Sequence, residues 1–374
     1  MHVRPVESRT DLKRFIDLPY QLHARDPIWV PPLRRDVRQL LSPAKNPFFQ
    51  HADAQYFLAE RNGAVVGRIA AVHNRLHNET HGDRVGFFGF FETIDDQAVA
   101  DALFDAVAAW LSARGLDTMR GPASFSVNDE CGLLVDGFEE VAAIMMPHNP
   151  PSYVRLTELA GFTKAKDLLV YEAGDERRLV PVPDRLDRAV ATILKRNGLT
   201  VRPLNLADFD NEVERIKRLY NRAWERNWGF VPMTDAEIDH LAEQFKPVVV
   251  PDLVPFLEKD GEVVAFGLSL PDLNVAFRKN RSGAFIPGVL RALWMLKRRR
   301  ISRLRILLLG VIPEFRGKGL DAVLYHWTWT RGNALGYTWG EAGWILEDNP
   351  AMNAALEKIG FQRYKTYRLY DRPL

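Results

Sequence analysis

Leu307-Leu308-Leu309-Gly310-Val311-Ile312-Pro313-Glu314-Phe315-Arg316-Gly317-Lys318-Gly319-Leu320 joins an apolar run of strand length to a proline stop and a short loop carrying two glycines and two cations. An apolar helical pattern follows at once over 321–335. This is strand-loop-helix geometry suited to an anion. Glycines let the backbone turn without a Cβ clash, so successive N–H groups converge at the positive end of a new helix. Arg316 and Lys318 add full charges. The common nucleotide loops do not fit, because no Ser or Thr follows Lys318 and the third glycine of the dinucleotide pattern is absent.

The chain around this stretch is 374 residues long, more than one ordinary domain and suited to two. Hydrophobic residues at 47% and charged residues at 26% describe a globular protein, and a net charge of +2 gives no reason to expect nucleic acid as a partner. Cys131 is the only cysteine, which excludes an internal disulfide and fits a reducing, cytoplasmic setting with Cys131 as a structural thiol. The N-terminus lacks an apolar signal core, and no run approaches the roughly 18 apolar residues of a membrane span. A soluble or at most peripheral protein is expected.

A repeat is visible along the chain. Val3-Arg4-Pro5 recurs as Val201-Arg202-Pro203 at an offset of 198, and Phe57-Leu58 with its Asn62-Gly63 turn recurs as Phe256-Leu257 with Asp260-Gly261. Asn149-Pro150 with Gly161-Phe162 recurs as Asn349-Pro350 with Gly360-Phe361. A near-constant offset predicts a duplication, with domains at 1–175 and 176–374 joined through the charged, proline-bearing stretch 175–197.

Two of these motifs carry a family resemblance. Val311-x-Pro313-x-x-Arg316-Gly317-Lys318-Gly319 resembles the acyl-CoA pyrophosphate loop of the GNAT superfamily of N-acyltransferases, and Asn349-Pro350 through Leu356 to Gly360-Phe361 resembles its second signature. Asp321 departs from the small residue usual at that point of the loop. The resemblance implies an α/β (α+β) architecture, a tandem duplication of the GNAT fold with each copy a mixed, mostly antiparallel sheet flanked by helices. It implies acetyl-CoA or a longer acyl-CoA as co-substrate, held by Leu309, Val311, Arg316, Gly317, Lys318, Gly319, Leu320 and Asn349, with no metal.

The two copies differ chemically. The first reads Phe90-Phe91-Glu92-Thr93-Ile94-Asp95-Asp96-Gln97 where the second has its glycines and cations, and three carboxylates there would repel a pyrophosphate. Asp95 and Asp96 read as helix caps. The first copy has a non-periodic insertion before Asn149, in which Asn128, Asp129, Glu130 and His148 are candidates to line an amine site, with turn chemistry as the alternative. His73, His77 and His81 lie in what reads as a polar loop and imply no metal site. Trp224, Asn227, Trp228 and Phe230, after the first helix of the second copy, are expected beside the acceptor because GNAT folds place the first helices there, with core packing as the alternative. An insertion over 271–305 carries an apolar helical segment ending in Lys297-Arg298-Arg299-Arg300. It reads either as a solvated helix end or as a peripheral membrane contact over 285–305.

For the reaction itself, alternation over the strand 338–348 puts Glu341 on a mostly apolar face, where a raised pKa would suit a general base. Glu347 and Asp348 follow as candidates for the base; the tyrosine acid of many GNAT enzymes is replaced by Leu356, and Tyr364, Tyr325 and Tyr367 are open as substitutes for it. The expected activity is direct acyl transfer from CoA to an amine acceptor. Two alternatives stand beside it. One is a long-chain, sphingoid-type lipid N-acyltransferase, since several stretches resemble a tandem GNAT subgroup related to bacterial ceramide synthases. The other is a non-catalytic CoA- or ligand-binding module. The partner is a small-molecule or lipid amine, and the oligomeric state is open.

Overall fold

The hairpins expected at Asn62-Gly63 and Asp260-Gly261 both form, with φ of +52°, +80°, +51° and +84° along the two pairs. Such turns need two left-handed residues in a row, which Asn-Gly and Asp-Gly supply at least cost. The computed structural model describes residues 1–225 and 227–374; Arg226 lies outside the described residues.

The first half runs β1 (His2–Pro5), α1 (Arg9–Leu22), α2 (Arg34–Leu40), β2 (Ala52–Arg61), β3 (Ala64–Asn74), α3 (Arg75–His81), β4 (Val85–Thr93), α4 (Gln97–Ser112), β5 (Thr118–Gly121), β6 (Leu133–Asp136), α5 (Ser152–Leu159) and β7 (Thr163–Gly174). The second runs α6 (Asp184–Asn197), β8 (Thr200–Pro203), α7 (Phe209–Trp224), α8 (Asp235–Phe245), β9 (Pro255–Lys259), β10 (Glu262–Pro271), α9 (Asn274–Phe277), α10 (Phe285–Lys297), β11 (Arg303–Val311), α11 (Leu320–Leu335), β12 (Trp339–Leu346), α12 (Pro350–Ile359) and β13 (Gln362–Pro373). The repeat reaches side chains: Arg4 pairs with Asp11 at 2.6 Å and Glu60 at 2.9 Å, and Arg202 with Glu212 at 2.6 Å and Glu258 at 2.7 Å.

Among the described residues the strands form one sheet in the order β1-β2-β3-β4-β5-β13-β7-β12-β11-β10-β9-β8, with β6 beside β13. The order is a palindrome of the repeat with its last strands exchanged. β13 pairs with β5 (Tyr370 opposite Gly121), β7 pairs with β12 (Glu341 opposite Glu172), and β7 and β13 pair with each other. The expected duplication is therefore present as one continuous sheet rather than two separate ones. Cores lie on both faces, and the first half is aromatic, with Phe15, Phe87, Phe88, Phe104 and Phe125 enclosed. Each such side chain contributes roughly 2 kcal/mol by leaving water.

Two local readings change. The stretch 175–197 is more than a connector: α6 buries Leu186 and Val190, and its Ile193 stands beside Gly319. His73, His77 and His81 lie on β3 and α3 rather than in a loop, with the rings of His77 and His81 packed 4.5 Å apart.

Candidate active site between two splayed parallel strands

β11 and β12 run parallel and pair only from Arg303–Ile306 to Trp339–Ala342. Beyond that they part. On β11 the register against β10 slips at Leu268 and Ser269, leaving Leu307 as a bulge. On β12 the register against β7 slips between Ala342 and Ile345, taking Gly343 and Trp344 out of the ladder. Bulges bend the strand that carries them, and two facing bulges open a wedge. Among the described residues, no strand takes the backbone of Leu307 to Leu309 on the wedge side.

A cavity of about 200 Å³ fills the wedge. The strands line it with Arg305, Leu307, Leu308, Gly343, Trp344 and Leu346. The α7–α8 region adds Tyr220, Trp224, Asn227, Trp228, Phe230 and Phe245. Trp224 can lie close because a Cβ on Gly310 would stand 2.5 Å from its ring. The first half supplies Val127, Asn128, Asp129, Cys131 and Met145 from its insertion. The site is thus built from both halves.

The insertion is held in place by directed bonds. Asn128 Nδ2 donates to Val231 O at 3.0 Å, fixing it to the α7–α8 loop. On the other side Arg305 Nη1 donates to Ile144 O at 2.6 Å, Lys365 Nζ to Val141 O at 2.8 Å and Tyr367 Oη to Pro147 O at 3.0 Å, while Ile144 N donates to Asp272 Oδ1 at 2.9 Å.

Asp129 is the titratable carboxyl around the cavity. Burial, with Glu237 and Glu130 nearby, pushes it up to about 7 against the hydrogen bond it accepts from Ser126 Oγ at 3.1 Å. Such a group changes protonation at neutral pH, as a general base must. Burial likewise raises the Cys131 thiol, leaving it an un-ionised wall residue.

The other predicted residues fall in three places. Trp224, Asn227, Trp228, Phe230 and Asn128 line the cavity together. His148 does not; its Nε2 lies 2.8 Å from Asp26 Oδ2 in the first half. Glu341 is fully enclosed behind the cavity wall, ion-paired at 3.2 Å to Arg305 Nε and accepting from Tyr364 Oη, and burial together with Glu341 drives the Tyr364 hydroxyl far up. Asp348 is exposed and paired to Lys166 Nζ at 2.7 Å, which lowers its pKa. The sequence named Asp129, with Asn128, Glu130 and His148, as a candidate to line the acceptor site but not as the base, and gave no sign of Arg305, Leu307, Leu308 and Trp344, whose places depend on bulges that leave no local signal.

The anion loop follows the C-terminal end of β11, the same end at which the two strands part. Gly317 and Gly319 are left-handed (φ +71° and +82°), and Arg316, Gly317 and Lys318 are exposed. Gly319 is the N-cap of α11, and no side chain caps that helix among the described residues. Its first-turn amides are therefore left without a side-chain cap, and uncapped amides at a helix start attract anions. The first half shows the opposite arrangement: Asp96 caps α4 by accepting from Ala98 N at 3.0 Å, and its wedge is closed where Ala123 N donates to Phe88 O at 2.7 Å and Phe125 packs on Phe90. Asn349, expected near CoA, caps α12 by accepting from Met352 N at 3.2 Å, and Leu356 is core beneath that helix.

No family profile matches the chain. The bacterial ceramide synthase of Caulobacter vibrioides is 38% identical over 380 residues, covering 100% of this chain and 98% of that protein. Protein YghO of Escherichia coli is 35% identical over 381 residues, covering 100% and 95%. Among solved structures, a tandem GNAT protein from the clavulanic acid biosynthesis pathway superposes with a TM-score of 0.56 at 12% identity, covering 100% of this chain and 98% of that one, a likeness of fold alone. Identity of 38% and 35% along the whole chain leads to one conclusion: the chain belongs to the family that includes the bacterial ceramide synthase, and its fold is like that of a tandem GNAT protein.

Proposed function

We propose that this protein transfers a long acyl chain from acyl-CoA to the amine of a long-chain base. The observation that carries the reading is the cavity between β11 and β12, apolar along most of its wall and bearing one carboxyl poised near neutrality. The pyrophosphate is assigned to the amides of Gly317 to Leu320 with Arg316 and Lys318, and the thioester to the unpaired backbone of Leu307 to Leu309. An amine is cationic in water and must lose a proton before it attacks. Asp129 attracts the ammonium into the cavity, takes its proton, and leaves a neutral nucleophile facing the thioester carbon. As the C–N bond forms and the C–S bond breaks, the amine nitrogen gives up its second proton to the departing sulfur, and CoA leaves as the thiol. We assign the base to Asp129 rather than Glu341, because Glu341 is enclosed with Arg305 and Tyr364 and faces no cavity.

Trp224, Trp228, Phe230, Leu307, Leu308 and Trp344 support a lipid acceptor and a long acyl donor, in keeping with the named activity of the 38% identical relative. Competition tests this. With palmitoyl-CoA against acetyl-CoA, and sphinganine against short amines, mass spectrometry should find the long-chain amide as the main product. Transfer confined to acetyl groups and short amines would refute the lipid reading.

A further inference from the structure

Helix α10 turns two unlike faces outward and inward. Ala292 and Met295 are buried with Leu273, Ala276 and Ile301, and Gly288 is buried beside Asn280 and Leu33. On the opposite side Ile286 is 68% exposed, Leu290 62%, Leu293 41% and Trp294 47%. At about 100° per residue these four and Lys297 share one arc of roughly 100°, a continuous apolar stripe closed by a cation. Arg298, Arg299 and Arg300 follow and are exposed, and Arg300 stacks 4.7 Å from the Trp294 ring centroid. Among the described residues Lys297, Arg298, Arg299 and Arg300 form no ion pair. No carboxylate occurs in the sequence between Asp272 and Glu314.

We propose that this face of α10 seats the protein on an anionic lipid bilayer, with the stripe entering the edge of the hydrocarbon and the cations meeting the headgroups. The inference stands apart from the identity of the acyl acceptor. A helix with an apolar face, a tryptophan at the polar boundary and cations beside it has the composition of an interfacial helix. Charge decides the occupant. The same face of a second copy would bring these cations no carboxylate, whereas an anionic bilayer offers both hydrocarbon and opposite charge. The segment that leads into the helix is tied to the first half. Arg281 donates to the carbonyls of Trp29 at 2.8 Å and His23 at 2.9 Å, and Arg34 Nε donates to Ser282 O at 2.7 Å. Ile144, packed in the same small core as α10, adjoins Met145 on the cavity wall. A protein held this way would keep its cavity close to lipid.

Vesicle flotation tests the proposal. The full chain should float with phosphatidylcholine vesicles containing about a third phosphatidylglycerol, float poorly with phosphatidylcholine alone, and lose binding as salt rises. Leu290→Glu with Trp294→Glu should lower partitioning at least about tenfold. Replacing Arg298, Arg299 and Arg300 by Ser should lower it about fivefold per cation. All these side chains are exposed, so melting temperatures should stay close to wild type. As a readout that needs no loss of binding, an environment-sensitive dye on Leu290→Cys should shift to the blue on anionic vesicles and not on neutral ones. Wild type that stays in solution with both vesicles, variants that float like wild type, or a dimer dissolved by Leu290→Glu without vesicle binding would each overturn the proposal.

Discussion

Ser126 Oγ donates to Asp129 Oδ2 at 3.1 Å, so the one carboxyl on the wall of the wedge cavity is oriented by a neighbour from the same insertion of the other half. A base with its pKa near 7 should make kcat/KM rise with pH through that value and level off above it. Asp129→Asn should lower kcat by about a hundredfold or more and flatten that limb. Stability should move the other way. The folded pKa is raised above the unfolded one, so the contribution is complete below the unfolded value near 3.8 and is lost as pH rises through about 7. Asp129→Asn should therefore be relatively more stable at alkaline pH than in acid, as chemical denaturation across pH would show.

Glu341 and Arg305 form a different kind of pair, 0% and 3% exposed, and Arg305 also holds the insertion through Ile144. Removing one member leaves a buried charge without its partner, at a cost of about 3–5 kcal/mol. Glu341→Gln should lower the denaturation midpoint strongly. The folded fraction should keep the pH limb near 7, because the limb belongs to Asp129. Loss of the limb with unchanged stability would move the base back to Glu341.

Gly319 sits at φ +82° with Ile193 Cδ1 2.8 Å from where a Cβ would lie. Gly319→Glu should raise the dissociation constant for CoA at least about tenfold by placing bulk and negative charge at the open end of α11, with a folding cost of about 1–2 kcal/mol from the left-handed backbone. Titration calorimetry with CoA checks it. The matching change at Asp96 of the first half should leave CoA affinity unaltered, since α4 is already capped there by a carboxylate.

Leu308 lines the cavity on the bulged strand. Leu308→Trp should fill part of the space and raise KM for long acyl-CoA by about tenfold or more, with little change for acetyl-CoA. A uniform loss across chain lengths would place the acyl chain elsewhere.

Much of this was written in local chemistry. The duplication showed in hairpin pairs and in Arg4 and Arg202, whose ion pairs match in the two halves. The asymmetry of the halves showed in Asp95-Asp96 against Gly317 and Gly319. Trp224, Asn227, Trp228, Phe230 and Asn128 proved to be neighbours because a helix end and an insertion meet over the wedge. What sequence hid is non-local. β7 and β13 resemble each other as strands, so nothing in either tells which half it joins; the exchange is decided by pairing across the sheet. Glu341 stands on the predicted buried face, but its partners, Arg305 from the adjacent β11 and Tyr364 from β13 beyond β7, lie far away in the chain and could not be read from its own strand. His148 was likewise taken up by Asp26, far away in the chain.

The central claim is acyl transfer at the wedge with Asp129 as base. Its most direct measurement follows CoA thiol and long-chain amide together in one reaction of wild type and Asp129→Asn with palmitoyl-CoA and sphinganine. Equal amounts of thiol and amide from wild type, and about a hundredfold less of both from Asp129→Asn at unchanged palmitoyl-CoA binding, are predicted. Amide formation at the wild-type rate by Asp129→Asn, or bound palmitoyl-CoA that never yields amide in wild type, would contradict it.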